Sequence, residues 1–281
     1  FSVYPNGTVA AVSGPMSKRK QGARQPMETS NPNGSASTRQ RHTFVLVHGA
    51  WHGGWCWRFV VERLIARGHR VFAPTLTGQG ERHHLLAAVT SLDVAIADIE
   101  NLLEAEELDN VVLVGHSYGG LVASGVADRN AHRLRSLIFL DSLLVESGQS
   151  AMDVLPRNVV EERLESVKQS GQTLAMPVPG LGGTGIPEDH PLAGWVRRRM
   201  TPHPLATYQT PLKLRHPLGN GLPRTYVHCA EPSYPTLEPV RQKIRAMSGW
   251  EWAEIASGHD AMVLHPDLLT DLLEELADGA V

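Results

Sequence analysis

Two stretches of this sequence carry residue types that belong to nucleophilic catalysis. Gly115-His116-Ser117-Tyr118-Gly119 fits Gly-x-Ser-x-Gly, with an apolar run at 110–114 before it and a helical pattern after it. In that context a serine sits on a tight strand-to-helix turn with its hydroxyl aimed into a cleft, and flanking glycines keep side chains clear of the neighbouring backbone. A serine hydroxyl is a weak nucleophile until a base takes its proton. Ser257-Gly258-His259-Asp260, late in the chain and after the last apolar run, supplies that base. Other histidines are set aside by position: His48 and His116 fall inside other motifs, His83 and His84 follow a loop, and His265 stands at a helix start.

The third group should be a carboxylate between serine and histidine, at a strand end, where it fixes the imidazole tautomer. Glu231, after the run 224–229, and Asp141, ending the run 134–140, both qualify. Glu231 is preferred and Asp141 is the alternative. Acyl transfer also needs two N–H donors for the oxyanion. One is the amide of Tyr118, directly after the nucleophile; the other comes from the loop His48-Gly49-Ala50-Trp51-His52-Gly53-Gly54-Trp55, with Ala50 as the expected donor. Trp51, Trp55 and Trp57 either wall the pocket or pack beneath it.

The elements that must position these groups are legible from residue 43 onward, where short apolar runs alternate with amphipathic stretches, the pattern of a parallel sheet covered by crossover helices. Strands are expected at 43–48, 70–73, 110–114, 134–140, 224–229 and 251–255, and helices at 57–67, 92–106, 118–129, 237–247 and 266–277. In 92–106 the residues Ile96, Ile99, Leu102 and Leu103 recur at helical spacing and mark one buried face. The alternation breaks at 142–222, which is dense in proline and glycine, with helical pieces only at 159–169 and 192–200. A stretch of that length in a compact domain reads as a cap or lid. The expected organisation is therefore an α/β core at 41–141 and 223–281, a cap at 142–222 and an arm at 1–40.

That arm is rich in Pro, Gly, Ser and Asn, carries a basic knot at Lys18, Arg19, Lys20 and Arg24, and lacks apolar periodicity. Met16 and Met27 are both candidate natural starts. With 26 basic and 29 acidic side chains the net charge is -3, which leaves no positive field for nucleic acid or an anionic membrane. The two cysteines, Cys56 and Cys229, form neither a disulfide framework nor a zinc motif and read as buried thiols. With no apolar run long enough to cross a bilayer, the expectation is a cytoplasmic protein acting on a small-molecule ester without metal or organic cofactor.

The stretches HGAWHGGWCW, APTLTGQGER, GHSYGG and GHDAMVLHP resemble the branch of α/β hydrolases that holds plant methylesterases, hydroxynitrile lyases and bacterial pyrethroid-type esterases. Met200-Thr201-Pro202-His203-Pro204-Leu205 is similar to the cap segment of the bacterial members. The resemblance implies an α/β-hydrolase fold with about six strands, Ser117 as nucleophile, His259 as base and the amides of Ala50 and Tyr118 as oxyanion donors. It also places the acid at Glu231, although here Glu followed by Pro232 replaces the Asp of plant relatives. Lyases of this branch carry Thr where Gly49 stands and Lys directly after the histidine, where this chain has Asp260. A carboxylate there cannot stabilise departing cyanide, so ester hydrolysis is favoured over cyanohydrin cleavage. The implied substrate releases a small alcohol such as methanol from a bulky or aromatic acid, contacted by Trp51, Leu155, Trp195, Met200 and Tyr208. A small-molecule receptor built on the same fold is the rival reading.

Overall fold

The computed structural model describes residues 40–280. The expected arm lies outside the described residues, except for Gln40. Six strands form one parallel sheet in the spatial order 70–72, 43–47, 111–116, 134–140, 224–229, 251–255. In chain order these and the helices are β1 (Thr43–Val47), α1 (Arg58–Ala66), β2 (Arg70–Phe72), α2 (Leu92–Ala105), β3 (Val111–His116), α3 (Gly119–Asn130) and β4 (Leu134–Leu140). An insertion then carries α4 (Ala151–Val154), α5 (Arg157–Ser170), β5 (Ala175–Met176), α6 (Ala193–Arg197), β6 (His203–Pro204) and α7 (Leu205–Gln209). The sheet resumes with β7 (Arg224–Cys229), α8 (Glu238–Ala246), β8 (Glu251–Ile255), α9 (Ala261–Leu264) and α10 (Pro266–Gly279).

The central strands are buried on both faces, which explains their unbroken apolar runs. Alternate side chains feed two separate cores: Val45, Val47, Val111 and Leu113 point to one side, and Phe44, Leu46, Val112 and Val114 to the other. On the first side α2 lays Ile96, Ile99 and Leu103 against the sheet. Its start is set by Ser91, whose hydroxyl accepts from the Asp93 amide at 3.2 Å. It packs so closely on α3 that a Cβ at Gly125 would meet Ile96 Cδ1 at 2.3 Å. On the other side α1 and α10 meet the sheet, α10 opening on Pro266 and burying Leu269, Leu273 and Ala277.

Strand positions follow the expected runs closely, and the differences are local. Residues 54–57 form a 3₁₀ turn before α1, and a longer 3₁₀ segment spans Gly80–Ala88, where no apolar period announces a helix. In the insertion the expected helix at 159–169 is α5, and that at 192–200 shortens to α6. The antiparallel pair β5 and β6, with Met176 opposite His203, is too short to leave an alternating pattern in the sequence. Insertion residues Val167, Met176, Leu205, Tyr208 and Leu212 join the first core, so this segment shares apolar burial with the sheet. Among the described residues no helix is long and apolar enough to cross a membrane.

Candidate active site

Three residues at the carboxyl edge of the sheet hold left-handed backbone conformations although none is glycine: Trp51 (φ 62°), Ser117 (φ 52°) and Asp141 (φ 39°). Each such position costs roughly 1–3 kcal/mol and persists only where the surroundings over-determine it. For Ser117 those surroundings are explicit. Its amide donates to the Leu140 carbonyl at 3.1 Å, and its own carbonyl accepts from Gly120 and Leu143 at 3.0 and 2.9 Å. A Cβ at Gly115 would lie 2.6 Å from the Gly119 carbonyl oxygen, and one at Gly119 would lie 2.7 Å from that of Val47. The glycines of the motif are thus demanded by the backbone itself.

His259 follows β8 and is only 6% exposed, its ring held between those of His116 (centroids 4.6 Å apart) and Tyr234 (4.8 Å). Nδ1 lies 2.6 Å from Oδ2 of Asp141, which is fully buried at the end of β4. Because a carboxylate accepts, Nδ1 carries the proton and Nε2 keeps its lone pair. The preference for Glu231 as partner of His259 is therefore corrected. Glu231 is exposed and contributes its backbone amide to the Ser257 carbonyl at 3.0 Å, while Asp141 reaches the imidazole from the adjacent strand. Asp141 is itself fixed twice more: its amide donates to the Val227 carbonyl at 2.7 Å, and Oδ1 accepts from Nη1 of Arg241 at 3.3 Å. Arg241, on α8 and 1% exposed, also donates to the Tyr234 carbonyl (2.9 Å) and to Glu238 (3.1 Å). Sequence reading missed it, since an arginine on an amphipathic helix looks like one of the solvated face.

The loop after β1 is organised by two histidines. His48 Nδ1 donates to the Gly49 carbonyl at 2.8 Å and its Nε2 accepts from the Leu76 amide at 3.1 Å, which pins the peptide bearing the Ala50 amide. Burial pushes the His48 imidazole down to about 3, so it stays neutral. His52 Nδ1 donates to the Ala50 carbonyl at 2.7 Å, and Nε2 lies 2.9 Å from Oδ2 of Asp260. Both His52 nitrogens face acceptors, so the ring is held as an imidazolium. Burial opposes this, but the Asp260 charge and hydrogen bonds together raise His52 above the ordinary imidazole range. Burial likewise works against the Asp260 carboxylate, and His52 outweighs it to hold the acid low. Buried His116 donates Nε2 to the His259 carbonyl at 3.0 Å and is driven well below the usual range, chiefly by desolvation.

His116, His259 and Asp260 each place a metal-ligating atom within 4.8 Å of the others. Their partners already engage His259 Nδ1, His116 Nε2 and one Asp260 oxygen, so an ion there would compete for the remaining lone pairs, including the one on His259 Nε2.

A cavity of about 590 Å³ opens over these groups, lined by Ser117, His259, Ala50, Trp51 and, from the insertion, Met176 and Tyr208. Of the residues expected to contact substrate, Trp51, Met200 and Tyr208 line it. Trp195 does not: its indole packs on Trp55 (5.1 Å) and Phe59 (5.5 Å) beneath the Arg199 guanidinium, filling the space between α6 and α1. Leu155 is buried in the first core. Residues 44–272 match the model of the alpha/beta hydrolase family. The chain belongs to that family. A carbendazim hydrolyzing esterase of Nocardioides sp. (strain SG-4G) is 39% identical to this hydrolase over 244 residues, covering 83% of this chain and 98% of that protein. Methylesterase 10 of Arabidopsis thaliana is 37% identical over 107 residues, 38% of this hydrolase and 39% of the relative. Among solved structures, an extracellular alpha/beta-hydrolase from a Paenibacillus species superimposes with a TM-score of 0.74 at 20% identity, covering 84% of this chain and 98% of that one.

Proposed function

We propose that this protein is a serine-dependent carboxylic ester hydrolase in which Ser117, His259 and Asp141 act as the triad. The observation that carries this reading is the 2.6 Å contact of Asp141 with His259 Nδ1, which leaves Nε2 as a lone pair in the cavity that Ser117 also lines. Ser117 Oγ attacks the ester carbonyl while His259 Nε2 takes its proton. The oxyanion forms against the amides of Ala50 and Tyr118, each such donor contributing on the order of 3 kcal/mol. His259 then protonates the departing alcohol; a water, deprotonated by the same imidazole, cleaves the acyl-enzyme and releases the acid.

The similarity to a carbendazim hydrolyzing esterase and to methylesterases supports a methyl ester with a bulky, flat acyl part, a shape suited to a cavity walled by Trp51, Tyr208 and Met200. The insertion at 142–222 serves as the cap that supplies one wall. Asp260, committed to His52, gives no ammonium next to His259, which speaks against cyanohydrin cleavage. Turnover of p-nitrophenyl acetate, of carbendazim and of methyl esters of aromatic acids tests the proposal, with mass spectrometry of the acyl group on Ser117. Ser117→Ala should abolish both turnover and the adduct; turnover that survives this change refutes the serine mechanism.

A further inference from the structure

The cavity contains a positive charge that the proposed triad chemistry does not use. Arg163, on α5, lines it, with its guanidinium carbon 5.3 Å from the ring centroid of Trp51 and 5.1 Å from that of Tyr208. Its Nη1 is buried without a hydrogen-bond partner, while burial raises the Tyr208 phenol and the charge and hydrogen bond of Arg163 pull it back down; among the described residues no carboxylate forms an ion pair with the guanidinium. The neighbouring Glu162 also borders the cavity but is exposed. Of the other charges at the cavity, His52 is paired with Asp260 and, behind His259, Asp141 with Arg241. Burial drives His116 well below the imidazole range and keeps it neutral.

A buried N–H donor without an acceptor costs free energy, and a site built on one rejects ligands that leave it unpaired. The two aromatic rings hold the guanidinium without neutralising it. They are themselves fixed: Trp51 donates Nε1 to the Met176 carbonyl at 3.3 Å, and Tyr208 stacks on Tyr118 with centroids 5.5 Å apart. Trp51 directly follows Ala50, so the arginine stands one aromatic ring away from the expected oxyanion donor.

Resting on the esterase reading, we infer that Arg163 is a specificity-determining residue that recognises a hydrogen-bond acceptor on the ring of an aromatic acyl group, a carboxylate being the strongest case and a heteroaromatic nitrogen the neutral one. The guanidinium meets the acceptor while Trp51 and Tyr208 cover the ring, and the ester carbonyl points back to Ser117. Since this contact is remote from the reacting bond, its loss should raise KM more than it lowers kcat.

The test compares methyl benzoate with monomethyl isophthalate, monomethyl terephthalate, methyl nicotinate and methyl isonicotinate. Wild-type protein should favour at least one acceptor-bearing ester over methyl benzoate by about tenfold or more in kcat/KM, in keeping with the selectivity of sites built around a polar contact. Arg163→Met, which keeps the apolar stem, should erase that preference through KM, the acceptor-bearing esters losing at least as much as the wild-type preference relative to methyl benzoate. Arg163→Lys should retain part of it for the carboxylates and lose it for the ring nitrogens, because an ammonium keeps the charge but not the planar fork. Calorimetric binding of the same esters to Ser117→Ala protein reads the arginine without turnover, and Arg163→Met on that background should weaken only the acceptor-bearing ligands. Equal preferences in the wild-type and methionine proteins, or a wild-type preference for methyl benzoate, overturn the inference while leaving the serine mechanism intact. Acceptor-dependent binding without any hydrolysis supports the inference and refutes the esterase reading instead.

Discussion

Replacing Asp141 by Asn changes one atom at the rear of the proposed site, and the outcome can be worked from its hydrogen bonds. Nη1 of Arg241 can only donate, so the amide oxygen of the substituted side chain must take the place of Oδ1 at 3.3 Å. The amide nitrogen is then left facing Nδ1 of His259, where Oδ2 stood at 2.6 Å. An N–H donor there forces Nδ1 to accept, which moves the ring proton to Nε2, the atom that has to take the serine proton. The ring is trapped in the unproductive tautomer, and no carboxylate remains to stabilise the imidazolium. Loss of a triad acid in this manner lowers kcat by about 10⁴, equivalent to about 5.5 kcal/mol of barrier. Glu231→Gln, by contrast, alters an exposed side chain and should leave turnover within about twofold. The assay is steady-state hydrolysis of p-nitrophenyl acetate by both variants, with circular dichroism to confirm folding. A loss of less than tenfold for Asp141→Asn, or a collapse for Glu231→Gln, refutes the reasoning.

Three further outcomes follow from packing and charge. Gly119→Ala places a Cβ 2.7 and 2.9 Å from the Val47 and His48 carbonyl oxygens; it should destabilise by about 1–3 kcal/mol and lower kcat by at least an order of magnitude, read by chemical denaturation and turnover. Arg241→Met leaves the fully buried Asp141 without its cation and should cost about 3–5 kcal/mol of stability, read by chemical denaturation. Stability should also fall on acidification. His48, held down to about 3, His116 and His203 all resist protonation when folded but take up protons near pH 6.5 when unfolded, so the unfolded chain binds more protons as pH drops. His52 has the opposite sign: its raised value adds stability below the ordinary imidazole range and loses it as pH rises through the folded one. With three groups against one, melting temperature should decrease from pH 7 to pH 5, and His48→Gln should flatten the slope by up to about 1.4 kcal/mol per pH unit; a steeper slope in that variant contradicts the assignment.

Which features are legible in the sequence depends on whether they leave a local signature. The runs 134–140 and 224–229 reappear as β4 and β7 to the residue, because β-branched, aromatic and other apolar residues concentrate there between turn-forming flanks. The nucleophile motif is readable for a related reason: Gly115 and Gly119 are required by backbone approach, which no other residue type satisfies. Asp141 and Glu231 end neighbouring strands and look equivalent in one dimension. Only the burial of one and the exposure of the other separates them, and the family pattern points to the exposed one. Trp195 is misplaced by sequence reading because an indole in a cap-like stretch packs equally well on a helix as on a ligand. Arg163 and Arg241 leave no trace, since a charged residue on an amphipathic helix is expected to face water and nothing local announces that its end is buried.

The insertion is sewn to the carboxyl edge of the sheet beside the proposed site. Thr201 donates its amide to the Trp51 carbonyl at 3.0 Å, Trp51 returns a bond to Met176, and the Asp260 amide donates to Thr184 at 2.8 Å. Lifting this segment as a rigid flap would therefore tear at the residues flanking Ala50 and His259 themselves, so under the proposed mechanism ligand entry and the geometry of the site are coupled. Diversification of such a scaffold is consequently easiest in the stretches between the stitches, where side chains can be exchanged while the anchoring bonds, two of the three main chain to main chain and the third from the Trp51 indole, hold the geometry of the proposed site constant.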